Sequence, residues 1–574
     1  MSYPGTTSTA ITDREINHAL IARRAASEGI VLLENNGILP LEEGAKVALY
    51  GGGASFTVKG GTGSGMVNNR TNISITEGMK KAGFTLTTED WLVAYENAYH
   101  ATWEAWKNRI YELSGKPGDR MGLYRAHASN PMKMPLGDPI TKTDTDTAIY
   151  VISRISGEGA DRKAVKGDYY LSDDEMDQLK TITTLYPNTI VVLNVGGIID
   201  LSFLETYSIS ALVLLSQAGM EGGNALADVL SGKVVPSGKL TDSWAYHYED
   251  YPSSRNFSHN NGNIIEEFYT DGIFVGYKYF DSFGILPRYP IGYGRSYSRF
   301  DVTAGDLACC DDQVRLKVKV VNRGPFAAKQ SVQLFAYLPG GDKAYPLREK
   351  ELRRMVAFAK TDLLQVGGEQ VLELAFPADL LSSYWTARSQ VYMDAGLYAL
   401  ELESCDAAGR LVKTPAGLLR VSAFTVLDTL QSICPLVDSL KEIRPDPALI
   451  DSLRQSAITA QSALSPLLLD ETLEKTILRI RKTHEEDHAR ALPFAKEVEE
   501  ILSKMTPRQK SETVCGQPGA LSGEIIGSAA ITVPGAAGET THTLAGLGVS
   551  HLILADGPAG LRLQKHYQVN PEDG

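Results

Sequence analysis

The chain has 574 residues, 43% of them hydrophobic, enough for several packed cores and for three or four domains. A formal charge of −13 and an isoelectric point near 5.4 exclude the basic surface that a nucleic-acid partner needs, and favour an uncharged or small substrate. The N-terminus "MSYPGTTSTAITDREINHAL" has no basic-then-apolar leader, and no run of about 18 apolar residues occurs, so a soluble, cytoplasmic protein without membrane contact is expected.

From about residue 15 to 245, short apolar runs alternate with amphipathic segments, the pattern of an α/β domain with a mainly parallel open sheet. Four β-branched runs, "KVALYGGG", "TAIYVISRISGEG", "TIVVLNVGG" and "ISALVLLSQAG", each end in a glycine-containing loop. Between them, "SDDEMDQLKTITTLYP" predicts a helix opened by a capping box of Ser172 and Glu175 and stopped at Pro187. Loops at the carboxyl ends of parallel strands share one edge, where ligands bind, so the loops after the first two runs are expected to be neighbours.

The first of these loops, "GGGASFTVKGGTGSGMVNN", is rich enough in glycine to suggest phosphate. A P-loop needs Lys-Ser or Lys-Thr behind its last glycine, but Gly65 is followed by Met66 and Val67; the spacing of a dinucleotide fingerprint is also absent. In "SRISGEGADRK", Glu158 stands between Gly157 and Gly159 just after an apolar strand. A carboxyl group there can approach a substrate closely and act as a general acid; on spacing alone, a solvent-exposed turn glutamate fits equally well.

From about 300 to 425, alternating strands such as "QVRLKVKVVNRG", "QSVQLFAYL", "QVLELAFP" and "GLYALELESC" predict a β-sandwich. Residues 426 to 500 are polar and helix-prone. Within them "THEEDHAR" matches H-E-x-x-H through His484, Glu485 and His488, but it lies among Arg, Lys and Glu without the sheltered cavity a catalytic zinc needs, and a solvated helix is expected. The five cysteines are odd in number, lack metal-site spacing and fit reduced thiols. No metal or other cofactor is implied. The last stretch returns to α/β texture, with a helix from "KMTPRQKSETVCG" and a strand in "GVSHLILADGPAGLR" that would project Asp556, and Arg562 six positions on, from its carboxyl end. An Asp-Gly turn with a structural arginine fits that pattern as well.

Taken together, "ARRAASEGIVLLENNGILPL", "GGTGSGMVN", "VISRISGEGADRKAVKGDYYLSDDE", "SQAGMEGGNALADVLSGKVVPSGKLTDSW", "DGIFVGYKYFDSFGILPRYPIGYGRSYSRF", "REKELRRMVAFAKTDLLQVGGEQ" and "LADGPAGLR" resemble glycoside hydrolase family 3, the β-glucosidase and β-xylosidase family, over nearly the whole chain. The resemblance implies a multidomain α/β plus β architecture in permuted order. An α/β sandwich domain at 1–298 carries the acid/base loop, and a fibronectin type III-like β-sandwich follows at 299–425. A helical connector at 426–498 then leads to the incomplete start of a (β/α)8 barrel at 499–574.

The chemistry so implied is retaining, exo-acting hydrolysis of terminal non-reducing β-linked sugars, most closely as a β-glucosidase, by two carboxyl groups. Glu158 carries over as the acid/base, Asp556 and Arg562 as grips on sugar hydroxyls, and Ser64 as a further substrate-binding residue. The family's nucleophile aspartate has no counterpart: "TDSW" at 241–244 and "KHY" at 565–567 stand in the wrong context. Only about 75 residues follow position 500, where a barrel takes about 250, so a front part of a longer polypeptide, or a chain completed by a partner, is expected. The expected partner is an oligosaccharide or β-glycoside substrate, with homo-oligomers left open. A catalytically silent carbohydrate-binding or scaffold protein is the alternative.

Overall fold

The computed structural model describes residues 10–65, 67–115, 120–156, 161–340, 350–434, 436–438, 440–489, 494–515, 533, 536–557, 560, 561 and 563. Its first part is built on six strands: β1 (Val31–Asn35), β2 (Lys46–Tyr50), β3 (Thr85–Leu86), β4 (Thr147–Arg154), β5 (Asn188–Val195) and β6 (Ala211–Leu214). They lie in the order β1-β6-β5-β4-β2-β3, parallel throughout except for β1, which closes one edge antiparallel to β6. The central strands are apolar on both faces because both faces are covered, and Ile190 to Leu193 of β5 have no solvent exposure at all.

Eight helices accompany this sheet among the described residues: α1 (Asp13–Gly29), α2 (Ile75–Lys81), α3 (Glu89–Leu113), α4 (Arg120–Ser129), α5 (Asp173–Leu185), α6 (Phe203–Thr206), α7 (Gly222–Leu230) and α8 (Tyr277–Phe283). The helix expected after "YYL" is α5, with Ser172 as its N-cap, Glu175 completing the capping box, and Tyr186 ending it one residue before Pro187. The fully buried α7 is tied to α1 by the Arg23–Asp228 ion pair at 2.6 Å.

Strands β7 (Phe300–Cys310), β8 (Gln313–Asn322), β9 (Ser331–Tyr337), β10 (Arg353–Lys360), β11 (Glu369–Pro377), β12 (Ser383–Trp385), β13 (Gln390–Met393), β14 (Gly396–Cys405), β15 (Leu411–Val421) and β16 (Thr425–Thr429) follow, with antiparallel pairings throughout. Alternation decides which face is inside: Val314, Leu316, Val318 and Val320 of β8 are buried, while Arg315, Lys317 and Lys319 between them face water. They pack against Leu334 of β9, Leu374 of β11 and Leu400 of β14 in a core shared by two sheets.

The segment expected as a helical connector does hold helices α9 (Pro447–Thr459) and α10 (Asp470–Ala489), but it is part of the sandwich as well. Leu467–Leu468 forms β17, parallel to β15, and Leu469 and Leu473 are buried in the sandwich core. Its apolar residues are what draw it onto the sheet rather than leave it spanning solvent. Beyond it lie α11 (Ala495–Lys504), the expected α12 (Pro507–Cys515), and an antiparallel pair of β18 (Gly538–Thr540) with β19 (Leu552–Leu554). The expected strand of "GVSHLILADGPAGLR" is β19, and its described neighbour is antiparallel, whereas strands of a (β/α)8 barrel are parallel. No helix among the described residues is long and apolar enough to cross a membrane.

Candidate functional site

The strands β2, β4, β5 and β6 end at the same edge of the sheet, and one side chain there joins the loops after β2 and β6 to the end of β4. Asn194, near the end of β5, is fully buried. Its Oδ1 accepts from the Val58 amide at 2.7 Å and from Ser153 Oγ at 3.3 Å, while its Nδ2 donates to the carbonyls of Val58 at 2.9 Å and Ser216 at 2.7 Å. Val58 belongs to the loop after β2, Ser153 to the end of β4 and Ser216 to the loop after β6. The glycines allow this crowding. Gly51 has φ +97° and a Cβ there would stand 2.3 Å from the Val151 carbonyl oxygen; one on Gly196 would stand 1.9 Å from Ser156 Oγ. Ser216 holds a left-handed φ of 57°, a conformation that costs a non-glycine residue energy and here turns the chain beneath the same edge.

Glu158, with Gly157, Gly159 and Ala160, lies outside the described residues; the residues on either side are anchored by arginines. On the outgoing side, Arg154 grips Glu175 bidentately at 2.6 and 2.7 Å and donates through Nε to the Asp168 carbonyl at 2.9 Å. On the return, Arg162 Nε meets Asp168 Oδ1 at 2.7 Å, Arg162 Nη1 donates to the Ile198 carbonyl at 2.9 Å, and Asp168 Oδ2 accepts the Lys163 amide at 2.6 Å. Charge-assisted bonds thus fix Arg154 and Arg162, on either side of residues 157–160. Against Gly196, Gln217 Nε2 is buried with no hydrogen-bond partner among the described residues.

Ser64 sits in the 3-10 turn Gly63–Gly65, and its side chain lies outside the described residues. The loop is closed on itself by Lys59, whose Nζ donates to the Val67 carbonyl at 2.7 Å and to Asn69 Oδ1; burial lowers the pKa of this amine. Asn68 Nδ2 then donates to the Leu563 carbonyl at 2.6 Å, and Gly560 lies against Val67, close enough that a Cβ would come within 3.5 Å of Cγ1. The stretch that bears Asp556 and Arg562 is therefore in contact with the loop that bears Ser64, across nearly 500 residues of sequence. Asp556 is half-buried two residues after β19; Arg562 lies outside the described residues.

The H-E-x-x-H stretch is elsewhere, on α10 against the sandwich. His484 Nε2 is 3.2 Å from Asp428 Oδ2 and Glu485 is exposed; the side chain of His488 lies outside the described residues. Sequence reasoning passed over Asn194 and the Arg154–Glu175 pair. The signal for the first was present, as a lone amide inside the otherwise apolar run "IVVLNV"; the second is a long-range pairing that spacing does not reveal.

Residues 30–277 match the glycosyl hydrolase family 3 C-terminal domain. Among curated proteins, a β-glucosidase of Ruminococcus albus is 36% identical over 368 residues, covering 63% of this chain and 36% of the relative. β-Glucosidase A of Butyrivibrio fibrisolvens is 33% identical over 416 residues, covering 64% of this chain and 46% of the relative. The chain thus spans less than half the length of these relatives. Among solved structures, β-glucosidase 3B of Thermotoga neapolitana in complex with α-D-glucose superposes with a TM-score of 0.58 at 32% identity, covering 72% of this chain and 55% of that one. A β-glucosidase of Paenibacillus barengoltzii superposes with a TM-score of 0.60 at 30% identity, covering 72% and 45%. The matching domain, these relatives and the superposed structures together support a β-glucosidase-like protein of glycosyl hydrolase family 3.

Proposed function

We propose that the chain supplies the acid/base carboxyl group and part of the sugar-binding wall of a retaining exo-β-glycosidase, acting as a β-glucosidase on terminal non-reducing β-linked sugars. The observation that carries this reading is the Asn68–Leu563 hydrogen bond, which joins the Ser64 loop to the Asp556–Arg562 stretch, the first of these following β2 at the sheet edge where β4 ends four residues before Glu158. In this reading Glu158 protonates the departing glycosidic oxygen as a second carboxylate attacks the anomeric carbon, and then removes a proton from the water that releases the sugar. Asp556 accepts hydrogen bonds from sugar hydroxyls, Arg562 donates to them, and Ser64 serves either way. The attacking carboxylate has no assigned residue. The reading also takes 1–298 as the acid/base domain, 299–425 as a fibronectin type III-like module, 426–498 as the link and 499–574 as the opening of a (β/α)8 barrel. A cytoplasmic β-glycoside-processing enzyme, assembled as a homo-oligomer or not, fits it.

The test is turnover of an aryl β-glucoside by an enzyme in which this chain is completed with a full barrel and by its Glu158→Gln variant, in the presence and absence of azide. Loss of acid/base help is expected to lower kcat by about 10²- to 10⁴-fold, with azide restoring part of it for substrates with good leaving groups. Unchanged turnover by Glu158→Gln would remove Glu158 from the mechanism.

A further inference from the structure

Helix α3 starts beside the sheet and does not stop at its edge. Trp91 packs edge-on against Tyr50, the last residue of β2, with ring centroids 5.3 Å apart. One turn on, Tyr95 stacks on Trp91 at 5.4 Å and lies against Gly52, where a Cβ would come within 2.2 Å of its hydroxyl. A further turn on, Tyr99 stacks on Phe56 with centroids 3.7 Å apart and planes 23° from parallel. Tyr50, Gly52 and Phe56 are successive points on the chain leaving β2 into the glycine loop, so α3 runs alongside β2 and past its carboxyl end. At about 1.5 Å per residue, Trp103 stands about 6 Å beyond Tyr99.

At about 100° per residue, Tyr99, Trp103 and Trp106 share one face of the helix, within about 60° of arc. The aromatic ladder leaves the core as it climbs: Trp91 is 8% exposed and Tyr95 4%, whereas Trp103 is 40% exposed. Its outer end is held rigid. Trp106 lies 5.1 Å from Trp103, packs on His127 of α4 and donates from its indole N–H to the Asn130 carbonyl at 2.6 Å.

We propose that Phe56, Tyr99 and Trp103 form a stacking platform for the outer rings of a β-linked glucose oligomer whose terminal ring enters at the glycine loop. The proposal rests on the functional reading above. β-Linked glucose rings carry their hydroxyls at the rim and present C–H groups on their faces, a shape that packs on aromatic planes while the rim stays in water. The platform is continuous with the loop bearing Ser64 through the Phe56–Tyr99 stack, and it leads away from the sheet edge, where an exo-acting site must send the remainder of its substrate.

The experiment is calorimetric titration of the 574-residue chain, and of its Trp103→Ala and Trp103→Phe variants, with glucose and with cellotetraose. The wild type is expected to bind cellotetraose about tenfold more tightly than glucose. Trp103→Ala loses that gain, Trp103→Phe keeps most of it, and the affinity for glucose changes in neither. Glucose binding without any gain from length, or an unchanged gain in Trp103→Ala, overturns the platform and leaves the site reading standing. Absence of glucose binding with retained, Trp103-dependent cellotetraose binding supports the platform and counts against the site reading; absence of both overturns both. If Trp103→Ala instead abolishes a concentration-dependent association seen in sedimentation, the face is an interface between copies and the platform is overturned.

Discussion

Asn194 uses all of its hydrogen-bonding capacity to tie the loops after β2 and β6 to the end of β4. Replacing it with alanine takes a partner from the Val58 amide and carbonyl and from the Ser216 carbonyl, all in part-buried bonds. A stranded buried group costs about 1–3 kcal/mol and water reaches part of these, so Asn194→Ala is expected to destabilise the chain by about 1–3 kcal/mol in all. The loss should be local as well as global, so hydrogen exchange at residues 52–60 should quicken more than in β5 itself. Unchanged denaturant midpoints and exchange would show that water replaces the amide. The residues proposed for the site stand out in the sequence because their signals are local: a carboxyl between two glycines after a strand, or an aspartate after "LIL". The hub was not, because Asn194 acts on residues 136 positions earlier and 22 later, and no spacing rule connects them. For the same reason the meeting of Asn68 with Leu563 was visible only in three dimensions.

Helix α5 shows how one residue serves an element and the site together. Glu175 accepts the Ser172 amide at 2.8 Å, closing the capping box, and its carboxylate also takes the bidentate fork of Arg154 at the end of β4. The Arg154 side chain is only 9% exposed, so Glu175→Ala strands a guanidinium in the interior as well as opening the helix start. The expected cost is about 3–5 kcal/mol, dominated by the unpaired charge. Ser172→Ala, which removes only the cap, should cost about 1 kcal/mol. Equal costs in chemical denaturation would refute this division. The helix itself could be read from sequence since Ser172, Glu175 and Pro187 are all local signals. Strand β1 was harder to place: it is short, lies outside the four glycine-ended runs, and its antiparallel pairing to β6 depends on partners nearly 180 residues away. That part of the link segment packs on the sandwich was not legible, because its helical pattern hides the two-residue strand Leu467–Leu468, which pairs with β15.

On the scale of the molecule, the α/β part and the sandwich are joined by charge buried between them. Arg353 of β10 is 3% exposed; its Nε meets Asp281 of α8 at 2.7 Å, Nη1 pairs with Glu403 of β14, and the guanidinium lies 4.2 Å over the Phe335 ring. Two further bonds run beside it, from the Leu352 amide to Ser282 Oγ at 2.9 Å and from the Met355 amide to the Tyr277 hydroxyl at 3.0 Å, and Lys329 meets Glu28 of α1 at 2.7 Å on the other side. Replacing Arg353 with leucine keeps the packing on Phe335 but leaves Glu403, whose side chain has no exposure, with Lys413 at 3.2 Å as its remaining cation among the described residues. Breaking a buried pair in this way costs about 3–5 kcal/mol. Asp281 contributes only to the joint, whereas Glu403 lies within the sandwich, so the loss falls on both the coupling and the sandwich. Scanning calorimetry should then resolve Arg353→Leu into two transitions, with the sandwich melting first, where the unaltered chain gives one. A single transition displaced intact to lower temperature would mean that the remaining bonds of α8 and α1 suffice to couple the two parts, and that Arg353 stabilises the sandwich without joining it to the sheet that carries the site.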